Sequence, residues 1–119
     1  MTMTTHKEIG DYLLGFANTW LDFPFGESTS VYKVGHKETG SGKMFALIND
    51  DCNPVRLSLK CDPVLAEKLR EDYETVLPGY HLSKKHWNTI ICTGQVPDEE
   101  LKGFIIHSYN LVNDIRDKS

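Results

Sequence analysis

The chain has 119 residues, 39% of them hydrophobic and 25% charged, which predicts one globular domain over residues 1–119. Its net charge of −4 is unlike the strongly basic balance of most dedicated nucleic-acid-binding domains. Three cysteines without a C-x-x-C spacing argue against a disulfide framework or a zinc ribbon. No apolar stretch suits a signal peptide or a membrane span, so we expect a cytoplasmic protein. For its oligomeric state, we expect a monomer.

The first predicted element is a helix. Thr5 and Glu8 have the spacing of a capping box, in which both side chains bind free amide groups at the start of a helix. Apolar residues then follow at helical intervals up to Trp20, and the helix is predicted to end at Pro24. Residues 23–26, Phe-Pro-Phe-Gly, predict an irregular corner with two aromatic side chains to bury.

Three strands are predicted next, over residues 30–35, 44–49 and 55–60. The first two are joined by a glycine-rich hairpin whose tip lies at residues 40–42. The second strand is apolar on both faces, which is typical of a central strand in a sheet. The third strand alternates apolar and polar residues, so we expect its polar side to face water.

The second half of the chain contains two predicted helices and one strand. Asp62 followed by a proline predicts the start of a helix, whose apolar stripe begins at Val64. A loop over residues 76–86 and a strand over residues 87–93 come next, and a last helix starts at Pro97. The order α-β-β-β-α-β-α indicates an α+β fold, in which helices pack on an antiparallel β-sheet.

No motif in the sequence predicts catalysis, a cofactor or a metal site. Residues 35–43 contain Gly-Lys, but they lack the first glycine and the Ser or Thr of a phosphate-binding P-loop. The histidines and cysteines lack the paired spacing of metal ligands, and His81 and His86 are the only candidates for a general base. Cys61 precedes a predicted helix start, where a thiol pKa tends to fall, but a buried, unreactive cysteine is favoured. We therefore expect a protein that is not an enzyme.

Positive charge is concentrated in two segments without acids. Residues 80–87, YHLSKKHW, hold two lysines, two histidines and two aromatic residues, and residues 52–61 add an arginine and a lysine. By contrast, residues 62–74 hold five acids. Because charges are screened beyond about 8 Å at physiological salt, a local basic patch can attract phosphates despite the negative net charge, and aromatic residues within it suit stacking on bases. The candidate nucleic-acid-binding residues are Lys33, Lys37, Arg56, Lys60, Lys84, Lys85, His86 and Trp87, with Lys43 beside the hairpin.

Two other interpretations of the same residues remain open. In one, the lysines are an ordinary solvated rim and Trp87 belongs to the core. In the other, a pocket between the sheet and the helices binds a small molecule or a protein partner. The residues that would line this pocket are Tyr80, His81, Trp87, Asn88 and Tyr109.

Several segments of the sequence resemble the MmcQ/YjbR family. They read LSLKCDPVLAEKLREDY (57–73), PGYHLSKKHWNTI (78–90), VPDEELKGFI (96–105) and SYNLV (108–112), while VYKVGHK (31–37) and KMFALI (43–48) fit the family's central strands. The resemblance runs from about residue 9 to residue 113. The family signature falls on Lys60, His81, Lys84, His86, Trp87, Asn88, Ser108 and Tyr109.

The resemblance implies a compact α+β architecture similar to the frataxin-like CyaY fold, and DNA binding through a double-wing arrangement. It implies no catalytic residues, because none are agreed for the family. The hairpin over residues 35–43 carries a Gly-Ser-rich insertion, which is expected to extend one wing. Iron-binding frataxins have a first helix dense in acids, whereas this first helix offers only Glu8 and Asp11, so no iron is expected.

Overall fold

In the computed structural model, which describes residues 3–49, 53–80 and 82–113, three α-helices pack on one face of a six-stranded antiparallel sheet. The elements in chain order are α1 (His6–Leu13), β1 (Thr19–Asp22), β2 (Thr29–His36), a 3₁₀ turn (Lys37–Thr39), β3 (Ser41–Asn49), β4 (Arg56–Lys60), α2 (Pro63–Asp72), β5 (Val76–Pro78), β6 (Trp87–Ile91) and α3 (Asp98–Val112). The strands lie in the order β1-β2-β3-β4-β6-β5. The predicted α+β class and the order of the predicted elements are confirmed, and the short strands β1 and β5 add the two edges.

The first helix is shorter than its sequence pattern predicts. The capping box at Thr5 is present, but α1 ends at Leu13 and Trp20 lies in β1. Between them Asn18 adopts a left-handed backbone conformation with φ 60°, which turns the chain back toward the sheet. Phe16 still packs against the core from the turn, so the apolar spacing continues after the helix has stopped. The prediction of a helix through Trp20 is therefore wrong.

The main core lies between the helices and the sheet. Ile9 of α1, Leu57 of β4 and Ile105 of α3 are completely buried there. A β-bulge in the pairing of β2 with β3 places the adjacent residues Phe45 and Ala46 both in this core. Strand β3 lies between β2 and β4, so its predicted central position is confirmed.

The second helix begins where the sequence predicts, and Leu65, Leu69 and Tyr73 of its predicted apolar stripe pack in or against the core, but Val64 does not. The Asp62 carboxylate accepts hydrogen bonds from the amides of Val64 (3.1 Å) and Leu65 (3.2 Å), which caps α2. Val64 is 78% exposed, whereas Ala66 and Leu69 are buried against the sheet. The apolar stripe therefore starts after Val64.

No helix in the described part of the chain is long and apolar enough to cross a membrane.

The face of the sheet away from the helices, called the second face below, is partly covered by the loop between β5 and β6. Val31, Leu47, Ser58 and Thr89 lie side by side across it in register. The loop is held down because the Tyr80 amide donates a 2.9 Å hydrogen bond to the Thr89 hydroxyl. Ser58 is only 1% exposed and lies 2.9 Å from the Thr89 hydroxyl, so the expectation that the polar side of β4 faces water is wrong at this position.

Candidate functional site

The two acid-free segments of the sequence are neighbours in the structure. They form β4 and β6 with its preceding loop, and Lys60 lies directly across from Trp87 in the pairing of these strands. Just beyond the last pair, the Cys61 amide donates a 2.7 Å hydrogen bond to the carbonyl oxygen of His86. The pairing sets these residues at the same end of the two strands, where Lys85 and His86 are exposed and Lys60 is half-buried.

The hairpin between β2 and β3 lies at the same end of the sheet. Because neighbouring strands are antiparallel, the start of β3 lies beside the end of β4 and the start of β6. Lys37 and Lys43 are exposed near the turn, which is paired up to His36 and Ser41. We call this region the basic end of the sheet, defined by the four residues Lys37, Lys43, Lys60 and Lys85.

Lys33 lies on the second face near this end, but its charge is compensated. Its ammonium group is 2.9 Å from the Asp22 carboxylate of the neighbouring strand. The hydrogen bond from Lys33 lowers the pKa of Asp22, so the carboxylate stays ionised at neutral pH. Within the described residues, none of the four lysines of the basic end has an ion-pair partner.

Lys84 and Arg70 organise the loop that carries the exposed basic residues. The Lys84 ammonium group donates a 2.9 Å hydrogen bond to the carbonyl oxygen of Gly79, which ties the loop across its base. Arg70 of α2 donates to the carbonyl oxygens of Lys84 and, at 3.3 Å, Trp87. The sequence analysis missed Arg70 because it lies in an acid-rich segment, where an ion pair within the helix is the simple expectation.

Trp87 belongs to a small second core. Its side chain is 7% exposed and packs with Val31 and Leu47, and Met44 and Leu82 lie at the border of this cluster. The indole therefore fills the second face and is not available as a platform for bases. Of the three roles that the sequence left open for Trp87, which are stacking on bases, a pocket wall and the core, the structure selects the core.

Asn88 and Tyr109 also have structural roles. Asn88 is buried, accepts a 2.7 Å hydrogen bond from Arg70 and donates one of 3.2 Å to the Ala66 carbonyl oxygen. The Tyr109 hydroxyl donates a 2.7 Å hydrogen bond to the Ala17 carbonyl oxygen, and the Tyr109 ring stacks on the ring of Phe16. Trp87 and Tyr109 thus lie on opposite sides of the sheet, and the structure does not bring them together in one pocket. His81 lies outside the described residues.

Ser108, the remaining residue of the signature, joins α3 to the sheet. Its hydroxyl is completely buried, donates a 2.5 Å hydrogen bond to the Phe45 carbonyl oxygen and accepts one of 3.0 Å from the Lys60 amide. The signature therefore consists partly of residues that hold the scaffold together. Lys60, Lys84 and His86 are its solvent-accessible basic residues in the described part of the chain, and the exposed Lys85 lies between two of them in sequence.

A groove of about 320 Å³ lies on the second face, away from the basic end. Its lining residues are Phe25, Thr29, Leu47, Asn49, Tyr80 and Leu82. Arg56 lies beside it, with its guanidinium carbon 5.7 Å from the centre of the Tyr80 ring. The aromatic corner expected to be buried is instead exposed at both phenylalanines. The aromatic Phe25 between a proline and a glycine was the one sequence signal for this groove.

The two cysteines within the described residues are unreactive by environment. Burial, and after it the negative charge of the nearby Asp62 carboxylate, raises the pKa of Cys61 to about 11. Burial also raises the pKa of Cys92 to about 11. Both thiols are therefore protonated at neutral pH, whatever the position of Cys61 before a helix. In the described ranges no three His, Cys, Asp or Glu side chains are grouped to hold a metal ion.

Comparison with known sequences identifies the family. The sequence model of the YjbR family matches residues 14–111, from the end of α1 to the last turns of α3. The chain belongs to the YjbR family. The match contains the whole sheet, α2 and the basic end, so the geometry described above is that of a YjbR domain.

Named relatives in the YjbR family span distant bacteria. The "uncharacterized protein YyaQ" of Bacillus subtilis is 40% identical over 120 residues, covering 92% of this chain and 98% of its own. The "uncharacterized protein YbdF" of Escherichia coli O157:H7 is 33% identical over 94 residues, covering 79% and 72% respectively. The "uncharacterized protein YjbR" of Escherichia coli K12 is 38% identical over 66 residues, which is 56% of each chain.

Two crystal structures are similar to this YjbR chain. Protein DR2400 of Deinococcus radiodurans, described as a DUF419 domain, is 39% identical with a TM-score of 0.86, and the match covers 92% of this chain and 79% of that one. A protein from Pseudomonas syringae has a TM-score of 0.76 at 24% identity, covering 92% and 99%, and it shows the fold alone. The two likenesses support the sheet order and helix packing described above.

Proposed function

We propose that this chain binds nucleic acid, with DNA the first ligand to test, through the basic end of its sheet. The observation that supports this proposal is the pairing of β4 with β6, which sets two acid-free segments side by side. The hairpin lysines at the same end extend the positive region across four strands. A local field of this kind attracts phosphates and acts over the screening length of about 8 Å at physiological salt.

The distribution of charge over the fold explains how an acidic protein can do this. The six described strands contain one acid, Asp22, against four basic residues, Lys33, Lys43, Arg56 and Lys60. The helices on the other face carry acids instead, with three each in α2 and α3. The net charge of −4 therefore averages an acidic helix side and a basic sheet end.

Binding of this kind involves no chemical step. Lysine ammonium groups and the exposed His86 suit direct contacts with phosphate oxygens, which position a nucleic acid without reading its sequence. The buried thiols of Cys61 and Cys92 are protonated at neutral pH and take no part. Binding should therefore depend on salt more than on sequence.

The test is fluorescence anisotropy with labelled duplex DNA at several salt concentrations. Four phosphate contacts, one for each lysine of the basic end, give a slope of log affinity against log salt of about −3.6, which is a loss of ~150-fold between 50 and 200 mM. The double variant Lys60→Ala with Lys85→Ala should bind more weakly and reduce the slope by about 2.

A matched control is Lys7→Ala with Lys68→Ala. These lysines are also exposed, but they lie on helices and form i,i+4 ion pairs with Asp11 and Asp72. The control changes the net charge as much as the test variant, yet it should leave the affinity and the slope nearly unchanged. No binding at the lowest salt, or an equal loss in both double variants, would overturn the proposal.

A further inference from the structure

The groove on the second face has the size and the walls of a ligand site. Its volume of about 320 Å³ is at the lower end of the range of small-ligand pockets, ~300–1,000 Å³. Phe25 is 61% exposed and Tyr80 is 50% exposed, and both line the groove. Aromatic rings that a fold leaves in water at a concave site offer apolar faces for stacking.

Both rings are carried on fixed backbone. The Tyr80 amide is bonded to the Thr89 hydroxyl at 2.9 Å, and the Arg56 guanidinium group lies over the Tyr80 ring. Phe25 lies in a turn in which the Gly26 amide donates to the Phe23 carbonyl oxygen at 3.3 Å. Because this backbone is held in place, little backbone conformational entropy is lost when a ligand is bound between the rings.

The floor of the groove combines one apolar and two polar side chains. Leu47 supplies the apolar part, and the Asn49 amide donates a 3.0 Å hydrogen bond to the Thr29 hydroxyl. A nucleobase has the complementary chemistry, since its faces are apolar and its edges carry donors and acceptors. The cation beside the groove, Arg56, suits the phosphate attached to such a base.

We propose that this groove holds one unpaired base of a bound strand, so that the protein prefers single-stranded to duplex nucleic acid. The inference rests on the proposed function and adds two points to it, which are that the ligand is single-stranded and that a second site contacts it. Arg56 and Lys60 are four residues apart on β4, which is about 13 Å at ~3.3 Å per residue. A short length of strand along β4 can therefore reach both the groove and the basic end, whereas a duplex keeps its bases stacked inside the helix and cannot fill the groove.

The experiment compares three labelled probes with the full chain: a short single strand, the same strand with abasic sites, and its duplex. Tyr80→Ala removes one wall of the groove and leaves the backbone bond to Thr89 in place. It should weaken binding of the single strand about 5- to 150-fold, the equivalent of ~1–3 kcal/mol per stacked base, and leave duplex binding unchanged. Tyr80→Trp should restore most of the loss.

Phe23→Ala is the matched control, because Phe23 is an exposed aromatic of the same corner that does not line the groove. It should bind every probe as the unaltered chain does. Base binding in the groove would be overturned if Tyr80→Ala and the unaltered chain bound the single strand equally well. It would also be overturned if the abasic strand bound as well as the intact one. Neither result would contradict binding through the basic end. A complete lack of binding to all probes at low salt overturns both proposals.

Discussion

The Nε atom of Arg70 donates a 2.7 Å hydrogen bond to the Oδ1 atom of Asn88, and this bond fixes α2 to the first residues of β6. The same guanidinium group binds the carbonyl oxygens of Lys84 and Trp87, on either side of the exposed pair Lys85 and His86. One arginine therefore holds the backbone that presents Lys85 of the basic end. Because Arg70 lies in α2 on the opposite face of the sheet, the same contacts stabilise the packing of α2 and fix the loop of the proposed interface.

Replacing Arg70 should destabilise the protein. Arg70→Ala leaves the buried Asn88 without its charged donor, and a hydrogen bond to a charged group contributes about 1.5–3 kcal/mol. Arg70→Lys should recover little of this, because an ammonium group cannot reproduce the fork of donors. Urea unfolding measures both. Lys68→Ala on the same helix serves as control, and a loss as small as the control's ~0.5 kcal/mol or less would contradict this account.

Replacing Ser108 should loosen the contact between α3 and the sheet. Ser108→Ala removes the hydroxyl that bridges the Lys60 amide and the Phe45 carbonyl oxygen, and leaves a buried backbone group unsatisfied. We expect a loss of about 1–3 kcal/mol in the free energy of unfolding. Ser41→Ala, at an exposed position of the hairpin, should change stability little. Equal unfolding midpoints for the two variants would argue against the bridge.

Two glycines should respond to alanine in opposite directions. At Gly42 a side chain would meet the indole ring of Trp20 and the Val34 carbonyl oxygen, so Gly42→Ala should destabilise the hairpin of β2 and β3 and its packing on β1. At Gly103, inside α3, a methyl group would meet nothing within 4 Å, so Gly103→Ala should stabilise the protein by up to ~1 kcal/mol through helix propensity. Thermal unfolding of the two variants in parallel tests both signs.

The buried thiols predict a dependence of stability on alkaline pH. Folding raises the pKa of Cys61 and Cys92 to about 11 from an ordinary value of 9.0, mainly through burial. When a group has a higher pKa in the folded than in the unfolded protein, its contribution to the free energy of unfolding is complete at pH values below the unfolded pKa. For these thiols the contribution is therefore present at neutral pH and is lost as the pH rises from 9 to 11.

Alkylation measures the same effect on the thiols directly. In a Cys52→Ser background, which leaves only Cys61 and Cys92, iodoacetamide at pH 8 should react much more slowly with the native protein than with the protein in urea. Equal rates in the native and unfolded states would contradict the assigned environments.

The sequence allowed the main elements to be predicted because their signals are local. The capping residue Asp62 and the apolar run of β3 depend only on near neighbours in the chain. The strands β1 and β5 were missed because three or four residues at a sheet edge carry no alternation of their own. Ser58 was expected in water, and its burial depends on a loop that is 20 residues or more away in sequence.

The sequence predicts which basic residues belong to the candidate site, but it does not predict how they are arranged in space. The two acid-free segments are visible in the sequence, but their contact depends on the pairing of Lys60 with Trp87, which no local pattern encodes. The expected pocket joined Trp87 to Tyr109, and the structure separates them because Trp87 points to the second face, whereas Tyr109 lies in α3 on the opposite face of the sheet. The groove at Phe25 was hidden for a related reason, since exposure of an aromatic corner depends on what the rest of the chain leaves uncovered.

The most direct test of the central claim is to follow backbone amide chemical shifts by NMR while a short DNA duplex, which cannot fill the groove, is added. The account predicts that the shifts concentrate in residues 36–43, at Lys60 and Cys61, and in residues 83–86, with the helix faces of α1 and α3 unaffected. They should also diminish as salt is raised, because released counterions drive the binding. Shifts that cluster on the helices, or no shifts at low salt, would contradict binding through the basic end.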